Sequence, residues 1–280
     1  MLPLFTLGAF EVTAIPDGAA HLPPSAYPGA DFGRYPHLLD ATGTVPIHIG
    51  AFLVRGPDGT VLVDAGAGDR SLPFPAELAQ ELVDPPTHLM TSGQLPRSLQ
   101  EAGVDPADID AVLLTHLHLD HVGWVVHDGV PFFPQATVHH GAEDWEALIT
   151  SATPDDPARQ VMQTAHAAGV LRPHHATTVE VLPGIRVLPA PGHTPGSAMV
   201  ELRSQDQRLL FLGDLLEHPG QLTDRDLHFM TDMDRSATVR TRAQVFTEAA
   251  REGTVLVAAH LADPVYRRIT PEWTWSEAVN

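Results

Sequence analysis

Residues 115–123 read Thr-His-Leu-His-Leu-Asp-His-Val-Gly (THLHLDHVG), directly after the apolar run Ala111–Leu114. A short unbroken apolar run of this kind reads as a buried strand. Placing ligating side chains where a strand ends lets a loop curl around one point while the sheet fixes its base. His116 and His118 lie two residues apart, so in extended backbone they face the same side. Asp120 and His121 then address a second point nearby once the chain bends. Imidazole and carboxylate are the donors expected of zinc and related divalent ions where thiolates are absent. A lone His-x-His is common by chance, whereas two histidines plus Asp-His within six residues are much harder to obtain by accident.

Thiolates are indeed absent. The 280 residues contain no cysteine, which excludes disulfides, thiolate zinc sites and cysteine nucleophiles. Sixteen basic residues against 35 acidic ones give a net charge of −19, a field that repels nucleic acid and anionic membranes. A small-molecule substrate is the expected partner, and a homodimer is left open. The N-terminus MLPLFTLGAFEV lacks a basic n-region with a cleavage site, and no stretch reaches the ~20 apolar residues of a membrane span. A cytoplasmic enzyme is the default expectation. Hydrophobic residues make up 43%, enough for a sizeable core, and no low-complexity linker divides the chain, so residues 1–280 read as one domain.

Working outward, Phe10–Ile15, Ile47–Val54 and Val61–Val63 have strand composition, and the stretch Asp17–Val45, rich in Pro, Gly and Ala, reads as a long loop. Helices are expected at Leu95–Ala102, stopped by Gly103, and at Ala142–Leu148, Pro157–Ala168 and Arg240–Glu252. Val179–Leu188 reads as a hairpin around Pro183-Gly184, and Leu209–Leu212 and Val255–Ala258 as buried strands. Strands and helices interspersed in both halves point to α/β or α+β layers. Trp124 either lines a substrate cleft or packs in the core. Twelve of the 17 histidines match no ligand motif, and nearly all of these fit surface or satisfied core positions.

The segment resembles the H-x-H-x-D-H signature of the metallo-β-lactamase superfamily, and further matches occur in order along the chain. Val63-Asp64-Ala65-Gly66 is similar to the family's early strand-to-turn motif, and Pro191-Gly192-His193-Thr194-Pro195-Gly196 to its third-histidine motif. Gly213-Asp214 resembles the bridging-carboxylate motif and Ala259-His260-Leu261 the last histidine. The resemblance implies a four-layer αββα sandwich with metals at one edge. It implies that His116, His118 and His193 bind a first ion, that Asp120, His121 and His260 bind a second, and that Asp214 bridges them. Asp64 would orient the ligand loop rather than bind metal.

The same resemblance implies a hydrolase with two divalent ions, zinc first and iron, manganese or cobalt as alternatives. Hydroxide between the ions would attack a carbonyl carbon or phosphorus, with Asp120 and Asp214 as catalytic carboxylates and Asp120 placed to relay a proton. The runs LGAFEVTAIPDG, HIGAFLVRGPDGTVLVDAGAG and GDLLEHPGQL look most like the methyl parathion hydrolase and N-acyl homoserine lactone lactonase group. This favours lactones or other esters, with phosphotriesters as secondary substrates. A glyoxalase II-like thioester hydrolase, a mononuclear-iron persulfide dioxygenase and a non-catalytic binding protein on the same scaffold are the other readings.

Overall fold

The computed structural model describes residues 2–261 and 266–278. Two β-sheets stack face to face. The first runs, in spatial order, Leu171–His174, Thr137–Gly141, Ala111–Leu113, Gly59–Val63, Val45–Gly56, Phe10–Leu22, His88–Ser92 and Ser71–Pro73, with Leu4–Leu7 paired to the start of Phe10–Leu22. The second runs Val179–Leu182, Ile185–Pro189, Ala198–Ser204, Gln207–Phe211, Val255–Val257, Arg267–Ile269 and Trp275–Ala278.

The central strands show why their sequences are apolar without alternation. Side chains along a strand point alternately to opposite faces, so a strand buried on both sides needs apolar residues throughout. Val61 and Val63 enter the core between the sheets, while Leu62 packs outward. Leu209 and Phe211 likewise face the inter-sheet core and Leu210 the far side; Val255, Leu256 and Val257 repeat the pattern. Outside the first sheet, Leu95 and Leu99 and the residues Val161, Met162 and Ala165 of helix Pro157–Ala167 cover Leu62 and Val112. Outside the second sheet, Phe246 and Ala249 of helix Arg235–Glu252 cover Leu210 and Leu256. The layers are therefore helix, sheet, sheet, helix, as the resemblance implied.

Several local expectations change. The strand begun at Phe10 continues through the expected loop to Leu22, with a bulge at Asp17 between the pairs Pro16–Gly50 and Gly18–Ile49. The rest of that stretch holds two short 3-10 turns, Pro24–Ala26 and Pro36–Leu38, and Tyr27 and Phe32 from it join an apolar cluster with Ile47, Ile49 and Met90. The helix expected at Ala142–Leu148 is present but shifted, α-helical at Glu143 and Asp144 and π-helical over Trp145–Thr150. The last long helix starts five residues early at Arg235, because the Asp234 carboxylate accepts from Ala237 N–H at 2.9 Å and caps it. It stops at Gly253, whose φ of 65° suits glycine. No helix among the described residues is long and apolar enough to cross a membrane.

Candidate metal centre

Four loops leave the same edge of the stacked sheets and bring the seven expected ligands together. His116 and His118 follow Ala111–Leu113, and Asp120 and His121 lie on the short helix Leu119–Val122. His193 follows Ile185–Pro189, Asp214 follows Gln207–Phe211 and His260 follows Val255–Val257.

Two groups of donor atoms form. In the first, His116 Nε2 and His193 Nε2 lie 2.9 and 3.0 Å from His118 Nδ1, and 3.5 and 3.4 Å from Asp214 Oδ2. In the second, Asp120 Oδ2 lies 3.8 Å from His121 Nε2 and 3.6 Å from His260 Nε2, while Asp214 Oδ1 lies 3.3 and 3.1 Å from the same nitrogens. Asp214 thus presents one oxygen to each group. Metal–ligand bonds of 2.0–2.2 Å in a tetrahedron separate the ligand atoms by about 3.4 Å, the middle of these ranges. His121 Nε2 and Asp214 Oδ1 are buried and have no hydrogen-bond partner among the described residues. The two atoms face each other at 3.3 Å within one donor group, an arrangement that fits a divalent cation.

The far nitrogens of His116, His121, His193 and His260 are committed. His121 Nδ1 lies 2.9 Å from Asp64 Oδ2, His193 Nδ1 3.0 Å from Asp232 Oδ1, and His260 Nδ1 2.7 Å from the carbonyl oxygen of His48. His116 Nδ1 lies 3.2 Å from the Thr115 hydroxyl, which itself reaches Asp64. Each acceptor holds its imidazole in the tautomer that leaves Nε2 free to ligate. Asp64, expected to orient rather than bind, does so from an unusual backbone, with φ of 60° in a non-glycine residue. It also accepts from Thr115 N–H at 2.8 Å, which fixes the base of the histidine loop. Such an outlier next to a cluster of ligands marks strain held for function.

Electrostatics separate the two groups. Burial, then the neighbouring His121, pushes His116 well below the usual imidazole range, and burial with His193 beside it brings His118 down to about 4. Burial also disfavours charge on His121 and His260, but Asp214 and the other carboxylates outweigh it; His121 is pushed well up and His260 to about 9. Asp214 is held far below the carboxylate range, because His260, His121 and His116 overcome its burial. The second group therefore carries protons that a cation would displace.

Sequence reasoning missed Asp232, Glu217 and the carbonyl of His48. Glu217 Oε1 sits 3.3 Å from His193 Nδ1, and burial plus the nearby Asp214 and Asp232 raises it well above the carboxylate range. No motif marks Asp232 or Glu217, and a backbone carbonyl has no side-chain identity to read. Trp124 does not line the cleft: it is 3% exposed, and its indole N–H donates to Asp17 at 2.9 Å.

The donors floor a cleft of about 240 Å³ whose walls include Leu22, Ile47, Ile49, Leu72, Met90 and Phe229. His118, Asp120, Asp214, Glu217 and His260 reach it, and no lysine or arginine does so among the described residues.

Comparison with known proteins agrees with this geometry. Residues 46–260 match the family model of the metallo-beta-lactamase superfamily. The chain is 27% identical over 172 residues to the N-acyl homoserine lactonase AiiB of Agrobacterium fabrum, covering 58% of this chain and 60% of the relative. It is 28% identical over 190 residues to the human acyl-coenzyme A thioesterase MBLAC2, covering 62% and 60%. The matched region thus spans about three fifths of these curated relatives. Among solved structures, AidC, a dizinc quorum-quenching lactonase, superposes with a TM-score of 0.80 at 21% identity, covering 96% of this chain and 93% of that one. The hydrolase AbOPH gives 0.78 at 23% identity with the same coverage. Motif order, layer order and a family match that includes both ends of the ligand set agree: the chain belongs to the metallo-beta-lactamase superfamily.

Proposed function

We propose that this chain hydrolyses small uncharged lactones or esters using two divalent ions, zinc by preference. His116, His118, His193 and Asp214 would hold one ion, and Asp120, His121, His260 and Asp214 the other. The observation that carries this reading is the pair of donor groups sharing Asp214 at the floor of an apolar cleft. When bound, such ions supply Lewis acidity and bring the pKa of water toward neutrality.

The chain's own groups fill the remaining roles. The apolar walls bind an acyl or alkyl portion and exclude water, which strengthens electrostatic interactions at the floor. Asp120 is 29% exposed on its side chain while His116, His121, His193, Asp214 and His260 are buried. Of the two carboxylates that reach both the ligand cluster and the cleft, Asp120 is the more exposed, so it can take or return a proton at the leaving oxygen.

The cleft also weighs between the activities of the relatives. A coenzyme A thioester brings several phosphate charges, and this site offers no cation to meet them in a chain of net charge −19. Lactones and simple esters are favoured on that ground, and neutral phosphotriesters fit the same walls as secondary substrates.

The test is metal analysis of the purified protein with a screen of lactones, aryl esters, phosphotriesters and acyl-coenzyme A, repeated without oxygen. Two ions per chain and oxygen-independent lactone or ester cleavage are expected. Full activity in metal-free protein would overturn the reading, and turnover that stops without oxygen would favour the mononuclear-iron alternative. Asp120→Ala should abolish turnover in a folded protein, and near-normal rates would remove its assigned role.

A further inference from the structure

Asp144 lies outside the family-like motifs, between strand Thr137–Gly141 and the π-helical segment Trp145–Thr150. Its carboxylate is 0% exposed, yet no arginine or lysine is among its hydrogen-bond partners. Oδ2 accepts from the backbone N–H of Leu117 at 3.2 Å and from the Thr194 hydroxyl at 3.0 Å, and Oδ1 accepts from Gly196 N–H at 2.6 Å. Leu117 lies between His116 and His118, and Thr194 directly follows His193. One carboxylate therefore grips both backbone segments that deliver the three histidines of the first donor group.

We infer that Asp144 is a positioning residue for the first metal site, setting the spacing between the His116–His118 segment and the His193 turn. This rests on the two-ion reading above.

The local sequence is shaped around this contact. A Cβ on Gly196 would fall 2.7 Å from Asp144 Cγ and 2.8 Å from its backbone nitrogen, so only glycine lets the turn come this close. The Ser197 hydroxyl, 2.7 Å from Thr194 Oγ1 and accepting from Thr194 N–H at 2.9 Å, orients the threonine toward the carboxylate. Apart from the contacts of the histidine rings themselves, the two segments share one backbone bond among the described residues, Ala198 N–H to the Thr115 carbonyl at 2.7 Å. A carboxylate suits this position because its donors approach both of its oxygens. An amide can offer only one oxygen, and its NH₂ would face an N–H or O–H donor.

The substitution Asp144→Asn thus breaks one side of the clamp at nearly constant volume, and Thr194→Val removes a single donor. The experiment titrates zinc alone into metal-free protein against a chromophoric chelator, and records the visible spectrum of the cobalt-loaded protein. In Asp144→Asn, affinity at the first site should fall about 10- to 100-fold, the usual cost of losing an outer partner of a ligand. The second site should stay within about twofold, and the cobalt bands of the first site should shift. Thr194→Val should show the same selective loss to a smaller degree, with Thr194→Ser restoring the wild-type values. Equal weakening at both sites, or none at either, would overturn the assignment; if Asp144→Asn does not fold, the Thr194 pair decides it. A wild-type protein that takes up no zinc would instead defeat the two-ion reading itself.

Discussion

Asp17 is the residue at which stability and site geometry should fail together. Its carboxylate is 0% exposed and accepts four hydrogen bonds: from Ala67 N–H at 2.8 Å on Oδ2, and from Gly93 N–H, Leu95 N–H and the Trp124 indole N–H at 2.9–3.1 Å on Oδ1. Asp17→Asn can keep the three bonds on one oxygen but turns an NH₂ toward Ala67 N–H. One charge-assisted bond is lost, at about 1.5–3 kcal/mol, and one buried donor is stranded, at about 1–3 kcal/mol. Relief from burying a charge offsets part of this, which leaves a net destabilisation of about 2–4 kcal/mol. For a chain of this size each kcal/mol moves Tm by roughly 2–4 °C, so a fall of roughly 5–15 °C is expected. The assay is thermal unfolding in excess chelator, so that bound metal does not mask the effect. Position adds a second consequence. Gly123 is packed so close to Ala67 that a Cβ there would lie 1.9 Å from the Ala67 carbonyl carbon, and Asp64 lies three residues upstream of Ala67. Loosening this turn should weaken zinc at the His121 site more than at the His116 site. A Tm within 1 °C of wild type would show that the desolvation of Asp17 cancels its four bonds, and the reasoning would be wrong.

Asp64→Asn should weaken the second ion by about 10- to 100-fold while retaining the fold, because His121 loses the carboxylate that fixes its ring; chelator competition reads this, and unchanged affinity would show that Asp64 only supports the backbone. Glu201, 1% exposed on its side chain, is held by Arg186, Arg203 and Arg208, and its pKa is lowered because the bonds to Arg186 and Arg208 outweigh burial. Its contribution is therefore present above the ordinary value of 4.5 and lost as pH falls toward the lower folded value. Glu201→Gln should cost about 2–3 kcal/mol at pH 7 and flatten the acid limb of the stability curve, with urea unfolding at several pH values as the check. Removing metal from protein held at 1,000 times its Kd in free zinc should cost about 4 kcal/mol, or roughly 10 °C in Tm. Calorimetry with and without chelator measures it, and coincident transitions would show that no structural metal was bound.

The clustering of the seven candidate donors was legible because all of them stand in short motifs, most of them immediately after apolar strands. The doubly buried strands were legible for the same reason: Val61–Val63 and Leu209–Phe211 are apolar throughout. What could not be read was side-chain chemistry that overrides local propensity. Pro16, Asp17 and Gly18 look like the start of a loop, yet the strand passes through them, because the bulge turns Asp17 inward to four donors. Gly18 has no room for a side chain, since a Cβ would lie 2.1 Å from the Thr91 carbonyl oxygen. Trp124 obeys the same logic. Its spacing from the signature left cleft and core open, and the partner that places it in the core is 107 residues away. Helical periodicity at Ala142–Leu148 marked the presence of a helix correctly, but not its winding: Glu143 and Asp144 are α-helical and the turns widen to π from Trp145 to Thr150. Asp232 and Glu217 carry no local signature, since only the folded chain brings them to His193.

The division of the candidate ligands between the two sheets makes the site and the fold mechanically one object. Gly59–Val63 runs parallel to Ala111–Leu113, and Gln207–Phe211 runs parallel to Val255–Val257, so their C-terminal ends open onto one edge. His116, His118, Asp120 and His121 come from the first sheet; His193, Asp214 and His260 come from the second. Each donor group therefore takes two ligands from either side of the sandwich, with Asp214 counted in both. Sheets in such a stack lie about 10 Å apart, a gap that side chains reaching from both sides close, as His118 Nδ1 and His193 Nε2 do at 3.0 Å. Without one, buried carboxylates and protonated histidines must balance each other across the seam, and Asp214 gains its low pKa from that arrangement. A bound pair of ions would replace this balance with bonds that tie sheet to sheet. The cleft opens beside the same seam, so a change that shifts the sheets relative to each other should alter ligand spacing and cleft width together.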